Sequence, residues 1–233
     1  MNILVLDAGF GPAGAAIART GSPLLSERLE GTLTSSSSGL ALLVHRLLEK
    51  AELTPDRLDR IGLTAGPGSF TGLRVALGLA KGLAFSRGTP LALLSTLSLH
   101  AAMYHGAPQA LSKVAVVLDA RRGEVHGALF DCAAPIPRTL WPARLWHPHP
   151  LGEALSAFAA TEGQLAVVGD GSPLLGEGDP LPGLIFPLQQ PWVDLDRLAR
   201  LTALLPDDEL LSPWDPCEPL YLRPPQITLA AAK

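Results

Sequence analysis

Apolar residues recur along this chain in two periods, and the switches between them mark its elements. Asn2-Ile3-Leu4-Val5-Leu6 predicts an opening strand, Asp7 to Gly14 a glycine-rich turn, and Ala15 to Arg19 a second strand. Weaker alternation predicts a third strand within Leu24 to Leu33, and the serine run Ser35 to Ser38 reads as a loop and helix cap. Leu40, Leu43, Val44, Leu47 and Leu48 then recur at helical spacing, which predicts an amphipathic helix ending near Ala51, before Thr54-Pro55. Arg60 to Thr64 predicts a strand, Gly66 to Arg74 a glycine-rich turn, and Val75 to Phe85 a helix capped by Ser69. A strand at Leu91 to Leu94 and a helix from Thr96 toward Tyr104 follow. Gly106-Ala107-Pro108 reads as a lobe boundary. Beyond it, Val114 to Leu118 and Glu124 to Phe130 predict a hairpin, and Leu165 to Val168 a strand running into Gly169-Asp170-Gly171. A helix from Asp194 to Leu205 precedes an irregular, proline-rich tail.

The two halves echo each other. Each opens with an apolar strand, an Asp-containing turn and an antiparallel return strand, Leu6-Asp7-Ala8-Gly9 answering Leu118-Asp119-Ala120-Arg121. The pattern therefore predicts an internally duplicated α/β arrangement.

The helix after Gly66 is unusual. Leu73, Leu77, Ala80 and Ala84 form one stripe, while Ala76, Gly78, Leu79, Gly82 and Leu83 leave its other sides apolar or very small. A helix apolar all round must be covered all round. Glycine in a helix costs roughly 1 kcal/mol against alanine, and close approach of a neighbouring element usually offsets that cost. Two placements satisfy this: a docking helix facing another protein, or a central helix buried in its own chain. A phosphate loop is excluded, because Leu73 and Arg74 stand where its lysine belongs and Lys81 lies too far along the helix.

Composition narrows the picture. The chain has 233 residues, 47% of them hydrophobic and 17% charged, enough for an aliphatic core in one large domain or two lobes. Arg74 and Lys81 interrupt the longest apolar helix, and the N-terminus lacks a signal peptide's basic region and cleavage site, so a cytoplasmic location is expected. Cys132 and Cys217, far apart and unpaired in sequence, read as reduced thiols. A net charge of -4 and no evident aromatic-and-basic stripe predict that the chain alone binds RNA only non-specifically, with Kd about 10⁻⁴ M or weaker.

Few residues suggest chemistry. Asp7 and Asp119 either hold a cation through water or cap their own turns. Arg121-Arg122 either contacts phosphate or forms a solvated or interface pair on a hairpin tip. His147-Pro148-His149 lacks further ligands nearby and reads as a surface loop rather than a metal site. Ser69 lacks the flanking glycines of a hydrolase elbow. No acid/base, nucleophile or metal constellation emerges, and neither a cofactor nor a metal is expected.

Gly66 to Arg74 (GPGSFTGLR), Ala80 to Ala84, Leu118 to Val125 (LDARRGEV) and the late Pro219 to Pro224 (PLYLRP) resemble the bacterial TsaB (YeaZ) family over most of the chain. The resemblance implies a two-lobed actin/Hsp70/sugar-kinase-like (ASKHA) fold with duplicated βββαβα-type lobes, here expected at 1–106 and 107–233. It also implies a non-catalytic dimerisation or scaffold subunit in the synthesis of threonylcarbamoyladenosine, next to the anticodon of tRNA. Its partners would be a TsaD-type catalytic subunit and a TsaE-type ATPase, with a homodimer when alone, tRNA bound only through the complex, and no membrane. The alternative is an ASKHA-type small-molecule kinase or a glycoprotease-like hydrolase. The partner interface is expected at Leu40, Leu43, Leu47, Arg74, Leu77, Gly78, Lys81 and Gly82. A vestigial nucleotide site would involve Asp7, Asp119, Arg121, Gly169 and Gly171. The chain departs from the family in the turn after Asp7, where Ala8-Gly9-Phe10 replaces the usual hydroxyls, and in Ser37-Ser38-Gly39-Leu40, where many members carry H-S-x-x-L.

Overall fold

A computed structural model describes residues 1–29, 37–106, 112–176, 181–187, 192–220 and 222. Strands β1 (Asn2–Asp7), β2 (Gly14–Arg19) and β3 (Leu25–Arg28) form an antiparallel meander; β4 (Arg60–Gly66) and β5 (Leu91–Ser95) add in parallel on the far side of β1, giving the order β3-β2-β1-β4-β5. The second sheet repeats the plan. In it β6 (Lys113–Arg121), β7 (Glu124–Asp131) and β8 (Arg138–Trp146) form the meander, and β9 (Leu165–Val168) and β10 (Leu184–Ile185) extend it in the order β10-β9-β6-β7-β8. This is the duplicated, two-lobed ASKHA architecture.

Helices α1 (Ser37–Lys50), α2 (Phe70–Ala84), α3 (Thr96–Ala102), α4 (Pro148–Glu162) and α5 (Leu195–Leu204) complete the fold. In the second lobe one tight helical turn, Ser172–Gly176, takes the place that α2 has in the first. Among the described residues no helix is long and apolar enough to cross a membrane.

Period-two alternation sorts the first sheet's side chains between two cores. Leu4 and Leu6 join Leu40, Leu43, Leu47, Ala76, Ala80 and Ala84 beneath α1 and α2. Ile3 and Val5 face the opposite way, onto Leu198 and Leu201 of α5. Leu97 and Ala101 of α3 pack on Val114, Val116 and Phe130 of the second sheet, whose outer face is covered by Leu151 and Leu155 of α4. The molecule is thus layered: α1 and α2, first sheet, α5 with α3, second sheet, α4. The strands segregate on either side of the boundary expected at 106/107, but the helices do not. Helix α5 lies beyond that boundary and packs on the first sheet, and α3 lies before it and reaches the second.

Most predicted elements are present. The third strand is only Leu25–Arg28, and the rest of its predicted span, from 30 onward, falls outside the described residues, as do Ser35 and Ser36. The sequence pattern does not predict β8 or α4. Pro142 breaks the pattern of β8, which tolerates it as an edge strand. His147-Pro148-His149, expected as a loop, is instead the start of α4, with His147 as N-cap and proline in the first turn, where its missing N–H costs nothing.

Helix α5 is fastened to the first lobe at two points. The Arg60 guanidinium donates to the carbonyls of Thr202 (3.0 Å), Ala203 (3.3 Å) and Leu205 (2.7 Å) and pairs with Asp207 at 2.7 Å. Gly62 lies directly beneath Thr202, and a Cβ there would overlap its Oγ1. Gly62→Ala is therefore expected to lower stability by about 1–3 kcal/mol through overpacking. Urea unfolding tests this, and unchanged stability would contradict the packing of α5 on β4.

Candidate functional site

The GPGSFTG segment is a backbone interlock. Ser69 donates its N–H to the Gly9 carbonyl at 2.7 Å, and its Oγ accepts from Gly72 N–H at 3.2 Å, the expected N-cap. A Cβ on Gly68 would run into the Gly9 carbonyl, and one on Gly72 into the Ala8 carbonyl. Both glycines exist because the first turn of α2 lies against the turn after β1. Asp7, at the base of that turn, is fully buried. It accepts from Gly9 N–H (3.2 Å) and Thr64 Oγ1 (2.9 Å) and pairs with Arg28 at 3.3 Å. Burial raises its pKa above the ordinary carboxylate value, against the pull of Arg28, Thr64 and Gly9.

Between the lobes lies a cleft of about 520 Å³. Gly9, Gly11, Gly68 and Ser69 line one wall and Asp119, Arg121, His126 and Asp170 the other. The hairpin wall is closed on itself. Asp170 accepts the Asp119 N–H at 2.9 Å, and Asp119 accepts the Arg121 N–H at 2.7 Å and pairs with its guanidinium at 3.1 Å. Desolvation raises the pKa of Asp170, and nearby Asp119 adds to the rise. Buried His100 meets the edge of Phe10, a cleft-lining ring, at 5.0 Å, and burial lowers its pKa.

Of the residues expected at a nucleotide site, Asp119 and Arg121 line the cleft and the others do not. Asp7 is sealed beneath it as a turn cap. Gly169 and Gly171 support the wall from behind, since side chains there would strike the backbone of Val117 and Leu118. Asp170, His126 and Phe10 also line the cleft; the sequence singles out the turns that hold Asp170 and Phe10 but not these side chains, and nothing in it marks His126. On that wall carboxylates already hold the backbone N–H groups of Asp119 and Arg121. Among the described residues no group of three His, Cys, Asp or Glu could hold a metal.

The outer side of α2 is the second candidate. Four residues expected at the interface are corrected: Leu40 (0% exposed), Leu43 (0%), Leu47 (1%) and Leu77 (8%) are core side chains. The helical spacing that reveals α1 also marks the face it buries. Arg74, Gly78 and Gly82 are exposed and Lys81 is half-buried, its Nζ donating to the Asp215 carbonyl at 2.8 Å. Among the described residues nothing lies within 4 Å of a Cβ built at Gly78 or Gly82. Aromatic rings bracket this bare stretch. Phe70 carries the Arg74 guanidinium at 4.4 Å, and Phe85 meets Trp214 edge-on at 6.0 Å. Phe85 (62%) and Trp214 (60%) are exposed, and the Trp214 ring rests on Gly88, where a side chain would collide with it. Trp214 comes from the proline-rich tail, which gives no periodic signal.

The chain matches known proteins in the same terms. A family model described as TsaD, tRNA N6-adenosine threonylcarbamoyltransferase, matches residues 33–133. The tRNA threonylcarbamoyladenosine biosynthesis protein TsaB of Bacillus subtilis (strain 168) is 32% identical over 131 residues, 56% of either chain. A tRNA N6-adenosine threonylcarbamoyltransferase of Clostridium botulinum (strain Hall) is 33% identical over 106 residues, 39% of this chain and 31% of that protein. The chain thus spans about half the length of the curated TsaB relatives it matches. The solved structure of YeaZ from Pseudomonas aeruginosa superposes with a TM-score of 0.74 at 25% identity, over 95% of this chain and 99% of that one. The chain is similar to proteins of the TsaB/YeaZ family. The interlock and the bare face belong to one helix, α2.

The buried ion pair gives a test with a sign. Protonated Asp7 needs no cation, whereas ionised Asp7 depends on Arg28. Removing Arg28 loses its bonds to the Pro12 and Val193 carbonyls at every pH and raises the already raised Asp7 pKa further, so the deficit has a constant part and a part that grows as pH rises above the ordinary carboxylate value. Arg28→Ala is expected to cost about 2–3 kcal/mol near neutral pH, discounted for the partly exposed cation, and clearly less in acid. Urea unfolding at both pH values decides this, and equal deficits would contradict the coupling.

Proposed function

We propose that this chain is a non-catalytic, cytoplasmic subunit in tRNA threonylcarbamoyladenosine biosynthesis, and that the outer face of α2 docks a TsaD-type catalytic subunit. The names of its relatives support the pathway. The observation that carries the docking is the contrast among the glycines of one segment. Gly68 and Gly72 are required by internal contacts, whereas Gly78 and Gly82 meet open space. Each of the latter costs about 1 kcal/mol of helix propensity for which the described residues show no internal compensation. A partner's backbone approaching that strip, with Phe70, Phe85 and Trp214 as rim anchors, supplies the reason. A two-helix face of this length supplies about 800 Å² per partner, the size of a standard specific interface. The match of residues 33–133 to the TsaD family model supports a paralogous partner with a comparable helix pair. A TsaE-type ATPase would join that assembly, and a second copy of this chain would occupy the face when the partner is absent. A kinase reading finds less support, because carboxylates already hold the hairpin's N–H groups on one cleft wall.

Gly78→Leu and Gly82→Leu are the direct test. Each is expected to abolish co-purification with the TsaD-type subunit while leaving the melting temperature unchanged or raised, since the new side chain meets only solvent. Native mass determination of the co-expressed pair gives the first readout and calorimetry the second. Normal assembly by both variants would overturn the docking assignment, and homodimer loss with an intact heterocomplex would assign the face to self-association.

A further inference from the structure

Helix α3 carries two buried polar side chains that the fold leaves without a hydrogen bond. Thr96 is 0% exposed and His100 3%, yet among the described residues neither Thr96 Oγ1 nor His100 Nε2 has a partner. The two stand four residues apart, on the same face of the helix. Leu97 and Ala101 turn from α3 into the core of the second sheet, and Leu99 and Ala102 into that of the first. At about 100° per residue the face of Thr96 and His100 lies midway between those two directions, so it looks into the space between the lobes. Phe10 stands there. It packs against both cores, meets the His100 ring edge-on at 5.0 Å and lines the 520 Å³ cleft. The pair is thus the floor of the cleft, with one aromatic ring above it.

One bond fixes the chemistry of that floor. His100 Nδ1 lies 2.8 Å from the Thr96 carbonyl. A carbonyl only accepts, so Nδ1 carries the proton of the neutral ring and Nε2 is a bare acceptor. Burial favours that neutral form. Thr96 Oγ1, one helical turn earlier, has a proton to donate. The carboxylates nearby do not complete the pair: Asp170 accepts the Asp119 N–H, and Asp7 is held by Gly9, Thr64 and Arg28. A buried acceptor or hydroxyl left unpaired costs the fold its desolvation, and apolar side chains of similar shape would fill both positions without that cost.

A ligand group that brings one donor and one acceptor removes the deficit. A carboxamide does so, with an N–H and a C=O on one carbon. An ionised carboxylate or phosphate offers Nε2 no donor and would face Asp170 and Asp119. An ammonium would lose its water among Leu97, Leu118 and Phe10 for a single free acceptor.

We propose that the cleft between the lobes binds a small neutral molecule by a carboxamide group, with the amide N–H donated to His100 Nε2 and the Thr96 hydroxyl donated to the amide oxygen. Phe10 is the door. It is half-buried, and rotation of its ring toward the open cleft uncovers the pair. The bound molecule lies between Phe10 of the first lobe and Leu118 of the second. This site is separate from the outer face of α2 and does not depend on a partner docked there.

The test reads the imidazole nitrogens of the isotopically labelled full chain by NMR while benzamide is titrated in. The Nδ1–H tautomer marks His100, His100→Phe confirms the assignment, and exposed His45 is the internal control. Benzamide is expected to bind with millimolar Kd and to move the Nε2 resonance in the direction of a hydrogen-bonded acceptor, leaving His45 in place. Acetophenone, which keeps the ring and carbonyl but has no N–H, and benzylamine, a cation, should leave Nε2 unmoved. Thr96→Val is expected to weaken benzamide about fivefold or more. Its melting temperature should be unchanged or raised, since the hydroxyl has no partner in the chain to lose. A wild-type Nε2 resonance that stays in place under tens of millimolar benzamide overturns the proposal whether or not either variant folds. So does an equal shift with acetophenone or benzylamine, an equal shift at His45, or undiminished binding to Thr96→Val. A fall of about 3 °C or more in the melting temperature of Thr96→Val overturns it too, because the hydroxyl then has an internal partner and the floor is closed.

Discussion

The turn after β1 and the first turn of α2 touch backbone to backbone, and the orientation of everything around them follows. Gly68 and Gly72 leave no room for a side chain against the carbonyls of Gly9 and Ala8, and the Ser69 N–H closes the contact at 2.7 Å. With the start of α2 fixed there, Leu73, Ala76, Leu77, Ala80 and Ala84 must point at the sheet. Phe70, Arg74, Gly78 and Gly82, on the other side, point outward, with Val75, Leu79 and Leu83 at the flanks. A segment that looks like a phosphate loop in sequence is thereby a locking device, and its consequence is an apolar helix face outside the core.

The same economy governs the space between the lobes. Asp7 is neutralised from below by Arg28, Thr64 and Gly9 N–H, and the opposite hairpin is tied by Asp119 and Asp170. Carboxylates of the chain itself take the backbone N–H groups of Asp119 and Arg121 on that wall. Helices α3 and α5 fill the layer between the sheets, so each lobe owes part of its core to a helix from the other half of the chain. A protein built this way keeps the ASKHA frame and presents its most distinctive surface on the outside of the first lobe.

Much of this is legible in the sequence, because long apolar periods leave few alternatives. β1, α1, β4, α2 and the β6–β7 hairpin all announce themselves. What escapes does so for identifiable reasons. Prolines hide β8 and the start of α4, although an edge strand and a first helical turn both tolerate them. Leu40, Leu43 and Leu47 are expected at an interface, although the periodicity that reveals α1 marks the face turned to its own sheet, where they are buried. Trp214 reaches Phe85 only through the fold, and the Arg144–Trp146 stack exists only once β8 does. Asp170 is in view as part of a glycine turn, but its bond to the Asp119 N–H joins distant segments that no spacing encodes.

In the proposed role this chain is required for tRNA modification without contributing a reacting group. Reconstitution tests it most directly: unmodified tRNA, a threonylcarbamoyl donor and purified TsaD-type and TsaE-type subunits, with and without this chain, scored for modified adenosine. The expected result is modification that depends on the chain and that Asp170→Asn, on the cleft wall, leaves within about twofold. Modification at the same rate without the chain, or its abolition by that substitution in an intact complex, would contradict the account.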